Sequence, residues 1–302
     1  MDFISDLKTI VTSELARLRI SFDPASGVLE LLLLILNHDM KRISQAKRTV
    51  HCSAEFNTEL KNLNAAQQAA AKAIHNKFTI GDDVSGHLSR SSGVDRAADV
   101  DQLLADWGIY HIHISNHKAK PNDDFFARTG PVMFAHLKAS DVYFIDIYPH
   151  GGWTRQKLLK IVNRAWPHLY KGVRLDSAHL SVIVTDQDVK KLRGPAKTSK
   201  QAGGSISTSV QIGDSVIFPP GGGLMADGTP ALNALRALRT IRLVRKLEKM
   251  AAQKSAEWKS VASKTSGLSV SELDLELVPL SPPGFGIREK RTGTMVYETP
   301  EK

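Results

Sequence analysis

Cysteine is almost missing from this chain: Cys52 is the only one. That excludes an intramolecular disulfide and leaves no second thiolate for a zinc cluster, and the usage fits a reducing compartment. The opening residues Met1-Asp2-Phe3-Ile4-Ser5-Asp6 lack the basic stretch and apolar run of a secretory leader, so a cytoplasmic protein is expected. Long apolar runs are absent too. The richest, Val28 to Leu36, carries Glu30 and reaches about half of the roughly 20 residues that span a bilayer, so it reads as a buried helix and no membrane contact is expected. There is no His-Glu-x-x-His, no paired-carboxylate nuclease motif, no P-loop ending in Gly-Lys-Ser/Thr, no Gly-x-Gly-x-x-Gly and no internal repeat. No cofactor is expected.

What is present is ordinary globular material. With 302 residues, 42% of them hydrophobic, the chain can bury a core as one large domain or two small ones. Lys and Arg outnumber Asp and Glu by 40 to 31, giving a net charge of +9, which favours RNA or another polyanion as partner.

The hydrophobic spacing predicts an α+β fold: a helical N-terminal region, a central and mainly antiparallel sheet with a packed helix, and a long C-terminal helix. Phe3, Ile4, Leu7, Ile10, Val11, Leu15 and Leu18 mark a first helix, and Ser53 is placed to N-cap a long alanine-rich helix that runs to about Phe78 and stops at Gly81. From Gly108 the period becomes two, in Ile109 to Ile114, Val132 to Leu137 and Val142 to Tyr148, which predicts three neighbouring strands. Thr154 reads as the cap of a helix ended by Pro167, His179 to Thr185 as a fourth strand, Gly194 to Ser205 as a mobile linker, and Ile206 to Phe218 as a strand pair. Thr229-Pro230 signals a helix start. The organisation expected is a helical region over 1–106, a sheet domain over 107–225, a basic amphipathic helix over 226–260, and an extended, partly disordered tail over 261–302.

Alternate residues of a strand share a face, so His111 and His113 should project together, as should Asp146, Tyr148 and His150, while Tyr143, Ile145 and Ile147 form the other, core-like face. Arg128 lies just before the second strand, where a turn can aim its guanidinium at the same surface, and His136 adds another imidazole. Imidazoles beside an arginine and a tyrosine suit metal-free RNA cleavage: one group takes the 2′-hydroxyl proton, another protonates the leaving oxygen, and a cation stabilises the phosphorane. The same His-x-His with Asp146 and His150 also offers nitrogen and carboxylate ligands to a metal, and each histidine taken singly is equally readable as a hydrogen-bonded residue of the sheet. Pro219-Pro220-Gly221-Gly222-Gly223, between a strand and a helix, is readable as a phosphate cradle or a turn. Arg236, Arg239, Arg242 and Arg245 recur along the predicted C-terminal helix and are candidate nucleic-acid contacts, or a solvated face.

The order of a helix, three antiparallel strands bearing His, Arg and Tyr, a helix and a strand over residues 100–185 resembles the compact sheet of RelE-type toxins and their barnase and colicin relatives. That resemblance implies a metal-independent ribonuclease whose sheet-borne catalytic side chains are His111, Arg128, Tyr148 and His150, with His113 in support, and a protein partner of the antitoxin kind or self-association. The long helical N-terminal region and the C-terminal extension depart from that family. Two other expectations stand beside it: a noncatalytic nucleic-acid or protein interaction module, and a metal-dependent hydrolase built on the His-x-His strand.

Overall fold

The computed structural model describes residues 1–93, 97, 99–118, 120–128, 130–149, 156–188, 209–225, 227–280 and 284–299, and shows an α+β protein. In chain order its elements are α1 (Phe3–Arg17), α2 (Val28–Met40), β1 (Thr49–Cys52), α3 (Ala54–Asn62), α4 (Ala65–Ile80), α5 (Gln102–Trp107), β2 (Ile109–His113), β3 (Pro131–Leu137), β4 (Asp141–Pro149), α6 (Gln156–Ala165), β5 (Arg174–Asp176), β6 (Val210–Ile212), β7 (Ser215–Ile217), α7 (Ala231–Gln253), α8 (Ser255–Ser266), β8 (Leu275–Pro279), β9 (Phe285–Glu289) and β10 (Met295–Glu298). The chain forms two compact units, one of Met1–Leu36 with Ala234–Lys302 and one of Asn37–Asn233. Boundaries drawn at 106, 225 and 260 do not follow this division. The 1–106 region is not purely helical, because β1 joins the central sheet.

In the 37–233 unit the sheet runs β1-β4-β3-β2. The three strands read from the period of two are present, with β2 antiparallel to β3 and β3 antiparallel to β4. The fourth strand is β1, parallel to β4, with Val50 opposite Val142. The fourth strand was expected from His179 to Thr185. That later segment is no strand; Val182 and Ile183 are exposed, and it is tied instead by Gln156 Nε2 donating to the Val184 carbonyl and the Leu180 N–H donating to Gln211 Oε1.

Ser53 caps α3, its hydroxyl accepting the Phe56 N–H while donating to the Ile145 carbonyl of β4. The long alanine-rich helix is two helices, because Asn64 and Gln67 build a reciprocal capping box that starts α4 afresh: Asn64 Oδ1 accepts the Gln67 N–H at 2.9 Å and Gln67 Oε1 accepts the Asn64 N–H at 3.2 Å. Gly81 stops α4 at φ 82°, the left-handed conformation that favours glycine. Phe56, Ala70, Ala71, Ile74 and Phe78 of α3 and α4 cover one face of the sheet against Ile112, Met133, Ala135, Val142 and Phe144. The other face carries a second core of Leu103, Trp107, Phe134, Ile145, Leu158, Val162 and Tyr170, contributed by α5, α6 and a 3-10 helix over Pro167–Val173. Two covered faces explain the near-continuous apolar run of β4. The strand pair read near Ile206 to Phe218 is present as β6 and β7, with β5 on the far side of β7. Thr154 and the Gly194 to Ser205 linker lie outside the described residues.

In the other unit α1 buries Phe3, Leu7, Val11 and Leu15, a stripe at a spacing of four. Leu31 and Leu32 of α2 are buried while Leu29 is exposed, so the Val28 helix is covered on one side only. The described residues from 261 to 299 are not an extended tail. After α8 they fold into the antiparallel sheet β10-β9-β8, where Leu275, Leu277 and Ile287 point inward and Glu276 pairs with Arg288 across the outer face at 2.6 Å. The polar look of this stretch is the solvent side of an alternating pattern.

Candidate functional site

The register of the central sheet brings four of the expected side chains onto one face. His113 lies opposite Val132, which lies opposite Tyr148; His111 lies opposite Phe134, which lies opposite Asp146. Sharing of a face within each pair, expected from alternation, is therefore observed. The partner face differs from expectation. A bulge in β4 opposite Phe134 and Ala135 inserts Ile145 as an extra residue, so Tyr143 and Ile145 share the side of Asp146 and Tyr148, and Ile147 alone of that trio faces α3 and α4.

This face is largely closed to solvent. His113 retains 3% of its exposure, Tyr148 8% and Asp146 none, because α5, α6 and the 3-10 helix pack over them. Burial, then the Asp146 carboxylate beside it, raise the Tyr148 hydroxyl, while Lys157 Nζ stands 3.7 Å from Asp146 Oδ2 and 5.4 Å from the centre of the Tyr148 ring. The buried Asp146 and Tyr148 of β4 and the exposed Lys157 of α6 thus form a polar brace between the two elements. Arg128 is exposed in the segment before β3, and it makes no ion pair among the described residues. His150 lies outside the described residues. Of the described side chains expected to act together, His111, His113 and Tyr148 share one sheet face and Arg128 is exposed ahead of β3.

Three further histidines, His38, His87 and His136, are buried. His87 is pulled down to about 4 by burial first and the nearby Lys77 ammonium second; its Nδ1–H donates to the His113 carbonyl at 3.2 Å and its ring stacks on Phe126. His136 is likewise pulled down to about 4, by burial and then Lys138, with its ring edge-on to Tyr143 and Tyr170.

His111 has a different setting. Its Nδ1 lies 2.9 Å from Asp101 Oδ2. Asp101 N-caps α5, its Oδ1 accepting the Leu104 N–H at 3.1 Å, so the helix start holds the carboxylate beside the imidazole. The pair lines a shallow cleft together with Lys41, Ser89, Ser92 and Tyr110. Lys41 Nζ donates to the Asp99 carbonyl at 2.9 Å, placing a cation beside the cleft and bracing the chain just ahead of Asp101. Burial pushes the Tyr110 hydroxyl up to about 12, and it donates to the Met40 carbonyl at 3.0 Å. Sequence reasoning missed Asp101, Lys41 and Tyr110. Asp101 before the Leu103-Leu104 turn is legible as a cap; its meeting with His111 is not.

Among the described residues no group of three or more His, Cys, Asp or Glu side chains is placed to hold a metal ion. The Pro-Gly loop is not a phosphate cradle. The Gly223 carbonyl accepts the Ala231 N–H and the Gly221 carbonyl accepts the Leu232 N–H, so the loop itself satisfies the first turn of α7, and Gly221 lies hard against the Ala105 backbone. On α7, Arg236, Arg239, Arg242 and Arg245 are all exposed. No helix among the described residues is long and apolar enough to cross a membrane. No protein-family model, curated protein or solved structure matches the chain.

Proposed function

We propose that the protein is a metal-independent ribonuclease-like enzyme whose acid–base residue is His111, oriented by Asp101. The observation that carries this reading is the 2.9 Å contact of His111 Nδ1 with Asp101 Oδ2 at the wall of a cleft that also holds Lys41. With a carboxylate oxygen 2.9 Å from Nδ1, Nε2 is the nitrogen left for proton exchange with a substrate. In RNA cleavage that nitrogen takes the 2′-hydroxyl proton, the 2′-oxygen attacks phosphorus, and the 5′-oxygen leaves with a proton from water or from the imidazolium. Lys41 and the net charge of +9 favour the anionic substrate. Tyr148 and His113, being buried, serve the fold in this reading, and Arg128 has no part in the chemistry.

Labelled RNA incubated in EDTA with the wild type, His111→Gln, Asp101→Asn and Arg128→Ala tests it. The expected result is cleavage by the wild type and Arg128→Ala, a loss of about 100-fold or more in His111→Gln, and a smaller loss in Asp101→Asn. Intact RNA in every lane, or undiminished cleavage by folded His111→Gln, overturns the reading.

A further inference from the structure

Helix α7 carries six basic residues against one acidic, a net of +5 out of the +9 of the whole chain. Its inward side is used up by packing: Ala237, Ile241, Val244, Leu247 and Ala251 are buried. At 3.6 residues per turn, Arg239, Arg242, Arg245, Lys246 and Lys249 fall on the opposite side within an arc of about 120°, all exposed, with Arg236 on the flank. Arg242 stands three residues from Arg245 and four from Lys246, and Arg245 four from Lys249, so like charges meet on successive turns and weaken the helix. The one acid, Glu248, is turned away and accepts the Phe3 N–H through Oε1 at 3.2 Å.

Elsewhere in the same unit four basic residues near the C-terminal sheet have acidic partners: Lys254 with Glu257, Arg288 with Glu276, Lys290 with Asp274 and Arg291 with Glu289. Among the described residues none of the six on α7 has one. A row of unneutralised cations about 20 Å long, kept on one face against its own repulsion, is complementary to a chain of evenly spaced anions. We infer that this face binds the phosphate backbone of a nucleic acid strand. An anionic membrane is the lesser fit, because an interfacial helix inserts its apolar side and that of α7 is buried in the fold, leaving only Leu235 and Leu238 exposed near one end. The inference does not depend on RNA cleavage at His111.

The test is fluorescence anisotropy of the full chain with labelled 20-nucleotide 2′-O-methyl RNA and oligo-dT, neither of which offers a 2′-hydroxyl nucleophile, so binding is read apart from cleavage. With five phosphate contacts, log affinity should fall with log salt at a slope of roughly −3.5. The triple variant Arg239→Gln, Arg242→Gln, Arg245→Gln should bind at least about tenfold more weakly near 100 mM salt and flatten the slope by roughly 2. The independent double variant Lys246→Gln, Lys249→Gln should flatten it by about 1.4. All five are exposed and repel one another, so both variants should melt at the wild-type temperature or slightly above it. Preference for either oligonucleotide names the natural strand. Affinity within twofold of wild type in both variants overturns the inference, as does binding to phosphatidylserine vesicles with none to either oligonucleotide.

Discussion

Acidification from pH 6.5 to 4.5 should unfold the 37–233 unit well before its carboxylates protonate. His87 and His136 are buried neutral, each with its folded value near 4 against about 6.5 in the unfolded chain. Below pH 6.5 the unfolded state takes up two protons that the folded state refuses until about pH 4, so stability falls as pH drops through that window and is fully present above it. Each histidine contributes about 1.4 kcal/mol per pH unit, so the two together give a slope of about 2.7 kcal/mol per unit and an upper limit near 7 kcal/mol by pH 4, comparable to the whole stability of a domain. His38, also lowered by burial and then by the Arg42 charge, acts in the same direction. Carboxylates act lower: Glu289, in the other unit and held to about 2 chiefly by hydrogen bonds from Thr292, loses its contribution only between about pH 4.5 and 2. Hydrogen exchange of peptides covering β2, β3 and β4, followed by mass spectrometry at several pH values, isolates the unit that holds the two histidines. Replacing either histidine with Gln should remove about half of the slope, whatever it does to the stability at pH 7. Protection independent of pH between 6.5 and 4.5 would refute the burial argument.

Two substitutions test the packing. Gly221→Ala would set a Cβ 1.6 Å from the Ala105 carbonyl oxygen, a backbone atom that cannot swing aside, so a loss of at least about 3 kcal/mol is expected from urea titration. Asn64→Ala removes the cap that restarts α4 and should cost about 1 kcal/mol, while Asn64→Ser should recover most of it.

Most of the elements were legible because they answer to local rules. Ser53 and Gly81 mark helix ends through their own hydrogen-bonding and dihedral preferences, and the alternation from Ile109 to Tyr148 declares strands wherever it occurs. Legibility stopped where one element meets another. The β4 bulge changes the side on which Tyr143 and Ile145 fall, and a period of two gives no warning of it. Asn64 and Gln67 carried a readable capping signal that the surrounding alanines obscured.

The candidate site shows the same division more sharply. That His111 and His113 share a face follows from strand geometry, and that α7 is basic follows from its residues. Which of the two histidines is sealed and which lines a cleft depends on what packs above them, and that is set by α5, α6 and the Asp101 cap, contributed from distant positions. Burial is a property of neighbours rather than of the residue buried, so the chain's local pattern specified its helices, strands and charge, and packing alone assigned each polar side chain to core, cleft or surface.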